Sequence, residues 1–371
     1  MSPAERVETT VLECSGVGDG GITRVLTEVV RHWPGPQRLR VVAAPPDWAV
    51  PPTDPAVQVE VVSRQPADRA RAIASAVTAL RGVTGRADRG AAPATTVLSL
   101  SPSLAVRGSR LPVTTVVHDL AFRLWPHGLS GAVRQYRRVS YGTAIGRSAR
   151  LLCVSARTRH DLLGLYGVRD DRTAVWHPGS SLDTAPGPLP APLAARVAGG
   201  GHYLAVAGHA AHKGVEIAVD ALPDLPGYVL AVLTGGQRVP EFEAAVARCA
   251  AAERVLFLDR LPEDGYAATI AGAAAFLMPS HFEGYGLPAA EALRLGTPVV
   301  VSPDPALHEA TGGRAARMTS WTPRALVDAV TEATTAPRPP VGRCGRSWRT
   351  ATAHLADLLS GVPTAPRPVG R

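Results

Sequence analysis

Two carboxylates, Glu283 and Glu291, bracket a glycine-rich turn and a short helix signal in the stretch Ser280-His281-Phe282-Glu283-Gly284-Tyr285-Gly286-Leu287-Pro288-Ala289-Ala290-Glu291-Ala292-Leu293-Arg294-Leu295-Gly296-Thr297-Pro298. Pro288 suits the first helical position and Gly296 the stop, which predicts about two turns of helix. The N–H groups of Gly286, Leu287 and their neighbours then point outward at a helix start, where an anion is favoured and a pyrophosphate fits. Two carboxylates beside a diphosphate would repel it unless they face its hydroxyl-bearing ends. Sugar and ribose hydroxyls are therefore their natural partners.

A second block, Gly208-His209-Ala210-Ala211-His212-Lys213-Gly214, follows an apolar run and opens a helix. Lys213 at a positive helix end is unfavourable unless an anion joins it, so the block asks for a phosphate. His209 or His212 would add a further cation if protonated. Gly20-Gly21 before a helix again offers backbone N–H groups to an anion or a closely approaching sugar, although an ordinary tight turn uses the same residues. His118-Asp119 ends the apolar run Val113–Val117, and polar residues at a strand's C-terminal end sit where ligands bind in open parallel sheets. Arg134, Arg137 and Arg138 fit an acidic acceptor or lipid headgroups as well as a solvated helix face.

The elements that must position these groups alternate. Val7–Glu13 reads as a strand, Ser15–Gly21 as a glycine loop, and Val25, Leu26, Val29 and Val30 as the apolar face of a helix. Strand-like runs at 39–44, 58–62, 96–100, 113–118, 150–154 and 173–176 alternate with helical stretches at 68–80, 136–148 and 156–165. A second series starts over at Tyr203 and runs to Ser302. Such alternation specifies parallel sheets with helices on both faces. The expectation is α/β, with an N-terminal domain over 1–182, a Pro-rich linker over 183–200 that lacks a strand signal, and a second domain over 201–345. A C-terminal helix and tail over 346–371 could pack back on the N-terminal domain.

The block EGYGLPAAEALRLGTPVVVS, with its E-x7-E spacing, resembles the donor site of family-4 retaining glycosyltransferases of the GT-B fold. The resemblance implies two Rossmann-like domains facing a central cleft. It implies that Glu283 holds donor-sugar hydroxyls, Glu291 the ribose, and the backbone of Gly284, Tyr285, Gly286 and Leu287 approaches sugar and phosphate. Gly208, His209 and Lys213 would then neutralise the diphosphate leaving group, although the loop is about one residue short and His209 stands where an arginine is usual. Gly20 and Gly21 would meet the donor phosphate, His118 the donor sugar near the reacting carbon, and Asp119 the acceptor side. Cys153–Asp161 is similar to the family's strand, serine, helix block, with Ser155 as a helix cap. Trp176-His177-Pro178-Gly179 takes the place of the family's Asn-Gly pair leading into the linker.

Composition narrows the class. With 371 residues, 46% apolar and 19% charged, the chain fits two globular domains. The longest apolar runs fall short of the roughly 18 residues that span a bilayer, and the acid and base in MSPAERVETT do not suit a secretory signal, so a cytoplasmic location is expected. The four cysteines show no metal spacing and read as reduced. Net charge +8 attracts anions, but aromatics are only 5% and no basic helix points to nucleic acid. No G-x-G-x-x-G with a later ribose acid suggests a dinucleotide enzyme. No Asp-x-Asp pair appears, so neither a metal nor a cofactor is expected, the nucleoside-diphosphate sugar being a co-substrate. The partners expected are that donor and a hydroxylated acceptor, with peripheral membrane contact as an option. The rival readings are a GT-B nucleotide-sugar epimerase and a non-catalytic binding partner.

Overall fold

A computed structural model describes residues 8–360 apart from 19, 86–93, 128, 183 and 238. The expected strand start Val7, loop residue Asp19, linker start Asp183 and the tail beyond 360 lie outside the described residues. In chain order the first half carries β1 (Glu8–Glu13), α1 (Gly21–Arg31), β2 (Gln37–Val42), β3 (Gln58–Val61), α2 (Arg69–Gly85), β4 (Ala94–Ser99), β5 (Val113–Val117), α3 (Ala121–Leu124), α4 (Gly131–Arg147), β6 (Arg150–Cys153), α5 (Ala156–Tyr166) and β7 (Thr173–Val175). The second half carries α6 (Ala191–Val197), β8 (His202–Ala207), α7 (Val215–Ala221), β9 (Tyr228–Leu233), α8 (Pro240–Arg248), β10 (Val255–Leu258), α9 (Glu263–Ala271), β11 (Ala275–Met278), α10 (Leu287–Arg294), β12 (Val299–Val301), α11 (Pro305–Thr311), β13 (Ala316–Arg317), α12 (Pro323–Thr335) and α13 (Trp348–Ser360).

The chain forms two compact units. One takes Met1–Phe122, Ser130–Gly179 and Trp348–Arg371; the other takes Arg123–Leu129 and Ser180–Ser347. The first unit is built on a parallel sheet of order β3-β2-β1-β4-β5-β6-β7, and the second on a sheet of order β10-β9-β8-β11-β12-β13. In each, three strands run outward in one direction and the fourth returns to the other side of the first. That reversal lies between β1 and β4 in one sheet and between β8 and β11 in the other. It opens a crevice beyond the strand ends, where ligands of such sheets bind.

Buried runs such as Val11-Leu12 and Leu204-Ala205-Val206, covered on both faces, suit central parallel strands. In α1 the buried Val25, Leu26, Val29 and Val30 recur at helical spacing. Ser130, Ser155, Asp304 and Thr322 each accept a backbone N–H at the start of α4, α5, α11 and α12.

One boundary differs from the sequence expectation. The Pro-rich stretch 183–200 contains α6, whose Leu193 is fully buried in the core of the second unit, so it is packed structure rather than a plain linker. Helix α13 belongs to the first unit, the packing that the sequence allowed. Trp176 Nε1 donates to the Ala351 carbonyl at 2.8 Å, and Arg150 donates to the Leu358 carbonyl at 2.6 Å. The Trp348 Cα lies 2.5 Å from where a Cβ on Gly179 would stand, so only glycine admits the helix there. The four cysteines are free. Among the described residues no helix is long and apolar enough to cross a membrane.

Candidate functional site

In the second unit the loops leaving β8 and β11, the two strands of the reversal, carry the charged residues. Lys213 ends a single 3-10 turn, Ala211–Lys213, after β8. Its Nζ donates to both carboxylate oxygens of Glu283, at 2.8 and 3.0 Å. The side chains are 17% and 7% exposed, so the pair is largely withdrawn from water. A lysine and a glutamate from separate loops thus meet at the crevice. The ammonium can turn to phosphate, and the carboxylate to hydroxyls, when a ligand separates them.

The loop that carries Glu283 is held from below. The Glu283 N–H donates to Asp304 Oδ2 at 3.1 Å, while Asp304 Oδ1 caps α11 by accepting from Ala306 at 2.8 Å. The Ser280 carbonyl accepts from Ser302 Oγ at 2.6 Å and from Trp321 Nε1 at 3.0 Å. Gly286, at φ 107°, turns the chain into α10, and its carbonyl receives the N–H groups of Ala289 and Ala290. Residue 286 needs glycine because that backbone conformation penalises any Cβ. The helix opens at Leu287; Pro288, just inside, has no N–H and the Gly286 carbonyl takes those of Ala289 and Ala290, so Leu287 carries the first-turn N–H without an acceptor in the helix. Glu291, one turn on, is buried and accepts the Tyr266 hydroxyl at 3.1 Å. Gly284 and Tyr285 lie in the same turn. Burial, then the neighbouring Glu309, pushes the Tyr285 phenol up to about 12, so it stays protonated at neutral pH.

His209 does not supply the extra cation that the sequence allowed. Partial burial first, and then the Lys213 ammonium, lower the His209 pKa, with Glu283 acting the other way. The neutral imidazole is therefore the dominant form at neutral pH, and His209 is not a charge replacement for an arginine. His212 contributes its backbone: its carbonyl accepts the His281 N–H at 2.8 Å. Gly208 is forced by crowding, since a Cβ there would come 2.5 Å from Lys213 Cβ.

In the first unit Gly20 sits at φ 107° before α1, and Cβ atoms built on Gly20 or Gly21 would meet open space. The loop is anchored by Glu13, which is fully buried at the tip of β1. Its carboxylate accepts from Ser15 N at 2.7 Å, Ser99 Oγ at 2.6 Å and Ser103 Oγ at 2.9 Å. Ala43, at φ 55°, is the one non-glycine residue in the left-handed region among the described residues, and its carbonyl and those of Cys14 and Val17 all lie within 3.1 Å of Gln65 Nε2. His118, at the end of β5, donates from Nε2 to the Leu100 carbonyl at 2.8 Å, which leaves Nδ1 as an acceptor. Asp119 uses Oδ1 to cap α3 by accepting from Ala121 at 2.9 Å, so at least half of its carboxylate has a structural task.

Burial lowers the His118 pKa, opposed by the Leu100 hydrogen bond and by Asp119. A histidine whose folded pKa lies below its unfolded value binds fewer protons in the native state, so its contribution is whole above the unfolded pKa and is lost as pH falls from there through the folded pKa. Thermal melts should therefore show stability falling between about pH 7.5 and about pH 5.5, where free histidine titrates. The fall should be smaller in His118→Gln, which keeps a donor for Leu100. An unchanged slope in that variant would remove His118 as the source.

The structure thus brings Lys213, Glu283, Gly208 and the start of α10 together, with Glu291 one turn beyond. It adds Asp304, Tyr266 and Glu13, which the sequence did not single out. Asp304 had one usable signal, the Asp-Pro pair at a helix start.

Known proteins match both halves of the chain. Residues 19–184 match the model described as Glycosyltransferase Family 4, and residues 201–335 match that described as Glycosyl transferases group 1. A D-inositol 3-phosphate glycosyltransferase of Xylanimonas cellulosilytica is 33% identical over 182 residues, 45% of this chain and 44% of that protein. The match therefore spans under half the length of that relative. Among solved structures, HepE of Anabaena in complex with UDP and glucose superposes with a TM-score of 0.69 at 16% identity, over 96% of this chain and 100% of that one. Sucrose-phosphate synthase from Thermosynechococcus elongatus superposes with a TM-score of 0.66 at 16% identity, over 96% and 95% of the two chains. Both share the fold.

Proposed function

The chain belongs to the family-4 glycosyltransferases of the GT-B fold, and on that premise we propose that it moves a hexose-type sugar from a nucleoside-diphosphate donor to an acceptor hydroxyl with retention. The observation that carries the reading is the Lys213–Glu283 pair at the sheet reversal, beside the start of α10. On this reading the diphosphate takes Lys213 and the start of α10, the sugar hydroxyls take Glu283, and the ribose takes Glu291. The acceptor is assigned to the first unit, with His118 and Asp119 among its polar groups.

The acceptor hydroxyl attacks the anomeric carbon on the face the diphosphate leaves. The bond from that carbon to the diphosphate oxygen breaks as the new glycosidic bond forms, and the hydroxyl proton passes to the departing phosphate. Lys213 and the helix start stabilise the charge that gathers on the leaving group, which is where preorganised donors contribute most. No step is assigned to a metal, and among the described residues no group of three or more His, Cys, Asp or Glu side chains could hold one.

The test is a thermal-shift screen against UDP, GDP, dTDP and ADP and their sugars, with and without EDTA. One diphosphate family should raise the melting temperature, and EDTA should leave that rise intact. Transfer assays then follow, with inositol 3-phosphate among the first acceptors because the Xylanimonas relative carries it in its name. Release of free nucleotide and an altered sugar without acceptor would move the assignment to an epimerase. Binding without turnover would move it to a non-catalytic partner.

A further inference from the structure

One cluster beside the donor loop has no role in the proposed reaction. His281 precedes Glu283 by two residues and is tied to residues of three other segments. Its ring stacks on Trp125 at 4.9 Å between centroids and 10° between planes. Trp321 lies near-parallel to it at 6.4 Å and 14°. Its Nε2 pairs with Glu216 Oε1 at 2.9 Å, on the first turn of α7. Its backbone N–H reaches the His212 carbonyl at 2.8 Å, one residue before Lys213. Trp125 comes from the segment Arg123–Leu129, which belongs to the second unit despite its place in the chain.

These ties run to both halves of the charged pair. The His212 and Glu216 contacts flank Lys213 and Gly214, whereas Ser280 and His281 lead into Glu283. A ring fixed by stacking and by an edge hydrogen bond has little freedom, so it sets how far apart the two loops stand. Packing alone does not call for histidine here: the side chain, 23% exposed, lies against the half-buried Trp125 and near Trp321, which is 41% exposed. A phenylalanine would stack as well, and only a ring with an edge N–H also reaches Glu216.

We infer that His281, held by Trp125, Trp321 and Glu216, is a positioning residue that fixes the spacing of Lys213 and Glu283 and so the place of the donor sugar relative to its phosphates. The inference rests on the donor-site reading above. It separates two functions that a structural role would move together. Diphosphate binding depends on Lys213 and the α10 start, which His281 does not touch, whereas sugar placement depends on the distance between loops.

The experiment compares His281→Phe, which keeps a stacking ring, His281→Leu, which keeps neither tie, and Glu216→Ala with the conservative Glu216→Gln. Calorimetry with the nucleoside diphosphate that wild type binds is set beside kcat and KM for the matching nucleotide sugar. The expected result is diphosphate affinity within about threefold of wild type in every variant. Turnover should fall roughly tenfold to a hundredfold in His281→Phe, His281→Leu and Glu216→Ala, the size expected for a small misplacement of a reacting group. Glu216→Gln, which retains an acceptor oxygen, should recover most of kcat. Wild-type kcat in both His281 variants would overturn the inference. So would diphosphate affinity and kcat lost in parallel with the melting temperature, which marks a structural role. If wild type bound no nucleoside diphosphate at all, the donor-site reading would fail first and take this inference with it.

Discussion

Lys213→Met should abolish measurable sugar transfer and destabilise the second unit, and adding Glu283→Gln should restore the stability without the activity. Both consequences come from one geometric fact, the two-pronged contact of the Lys213 ammonium with the Glu283 carboxylate at 2.8 and 3.0 Å. Removing the lysine leaves a carboxylate whose side chain is 7% exposed without its counter-ion. Breaking a buried pair from one side costs about 3 kcal/mol or more, because an uncompensated charge stays behind. Replacing both members with neutral groups of similar size removes that charge, so most of the loss should return. Activity follows a different rule. A donor aimed at the leaving group is worth about 100- to 1000-fold in rate, and a neutral pair supplies neither the cation for phosphate nor the carboxylate for sugar hydroxyls. Thermal melts and single-turnover transfer assays on the two single variants and the double variant close the cycle. Full activity in the double variant would show that the pair is only a structural bridge. A double variant as unstable as Lys213→Met would show that the buried carboxylate is not what destabilises it.

Much of this site was legible because its determinants are contiguous. Glu283, Gly286, Pro288 and Glu291 fall within one loop and one helix, so their spacing carries the geometry, and the structure places α10 at Leu287–Arg294 where the Pro and Gly signals put it. The alternating apolar runs likewise specify parallel sheets, since a strand buried on both faces reads as a short unbroken apolar stretch. What was not legible depends on contacts between distant residues. Asp304 and Tyr266 are ordinary residues until the fold brings them to Glu283 and Glu291. Glu13 reads as a polar end to a strand and becomes an anchor only because Ser99 and Ser103 arrive from β4 and the turn after it. The 183–200 stretch misled through its prolines. Pro190 precedes α6 and Pro192 lies in its first turn, positions where a missing N–H costs nothing, so the prolines there start a helix rather than prevent one. For His209 the sequence supplies the imidazole and the nearby lysine but not the partial burial that is the larger cause of its lowered pKa.

Gly214→Ala should be the most damaging change that alters no functional group. Gly214 lies at φ 68°, in the left-handed region, between Lys213 and α7. A Cβ there would stand 2.3 Å from the Pro279 carbonyl oxygen and 2.9 Å from its carbon. Both are backbone atoms of the chain that leads from β11 into the Glu283 loop, so no side-chain rotation relieves the clash. Either residues 208–214 or residues 279–283 must move, which displaces Lys213 from the start of α10 as well as from Glu283. The substitution therefore strikes the site through its frame. Positive φ alone costs an alanine about 1 kcal/mol, and the overlap adds to this, so a total of at least 2 kcal/mol is expected. Gly167→Ala is the control: its φ is 58°, close to that of Gly214, but a Cβ there meets nothing within 4 Å. It should bear the conformational cost without the collision. Gly214→Ala should lose both melting temperature and nucleoside-diphosphate affinity, whereas Gly167→Ala should lose only a little of the former. Equal losses in the two variants would mean that backbone strain, and not the contact with Pro279, accounts for the effect. Diphosphate affinity unchanged in Gly214→Ala would show that the loops accommodate the methyl group with Lys213 still in place beside the start of α10.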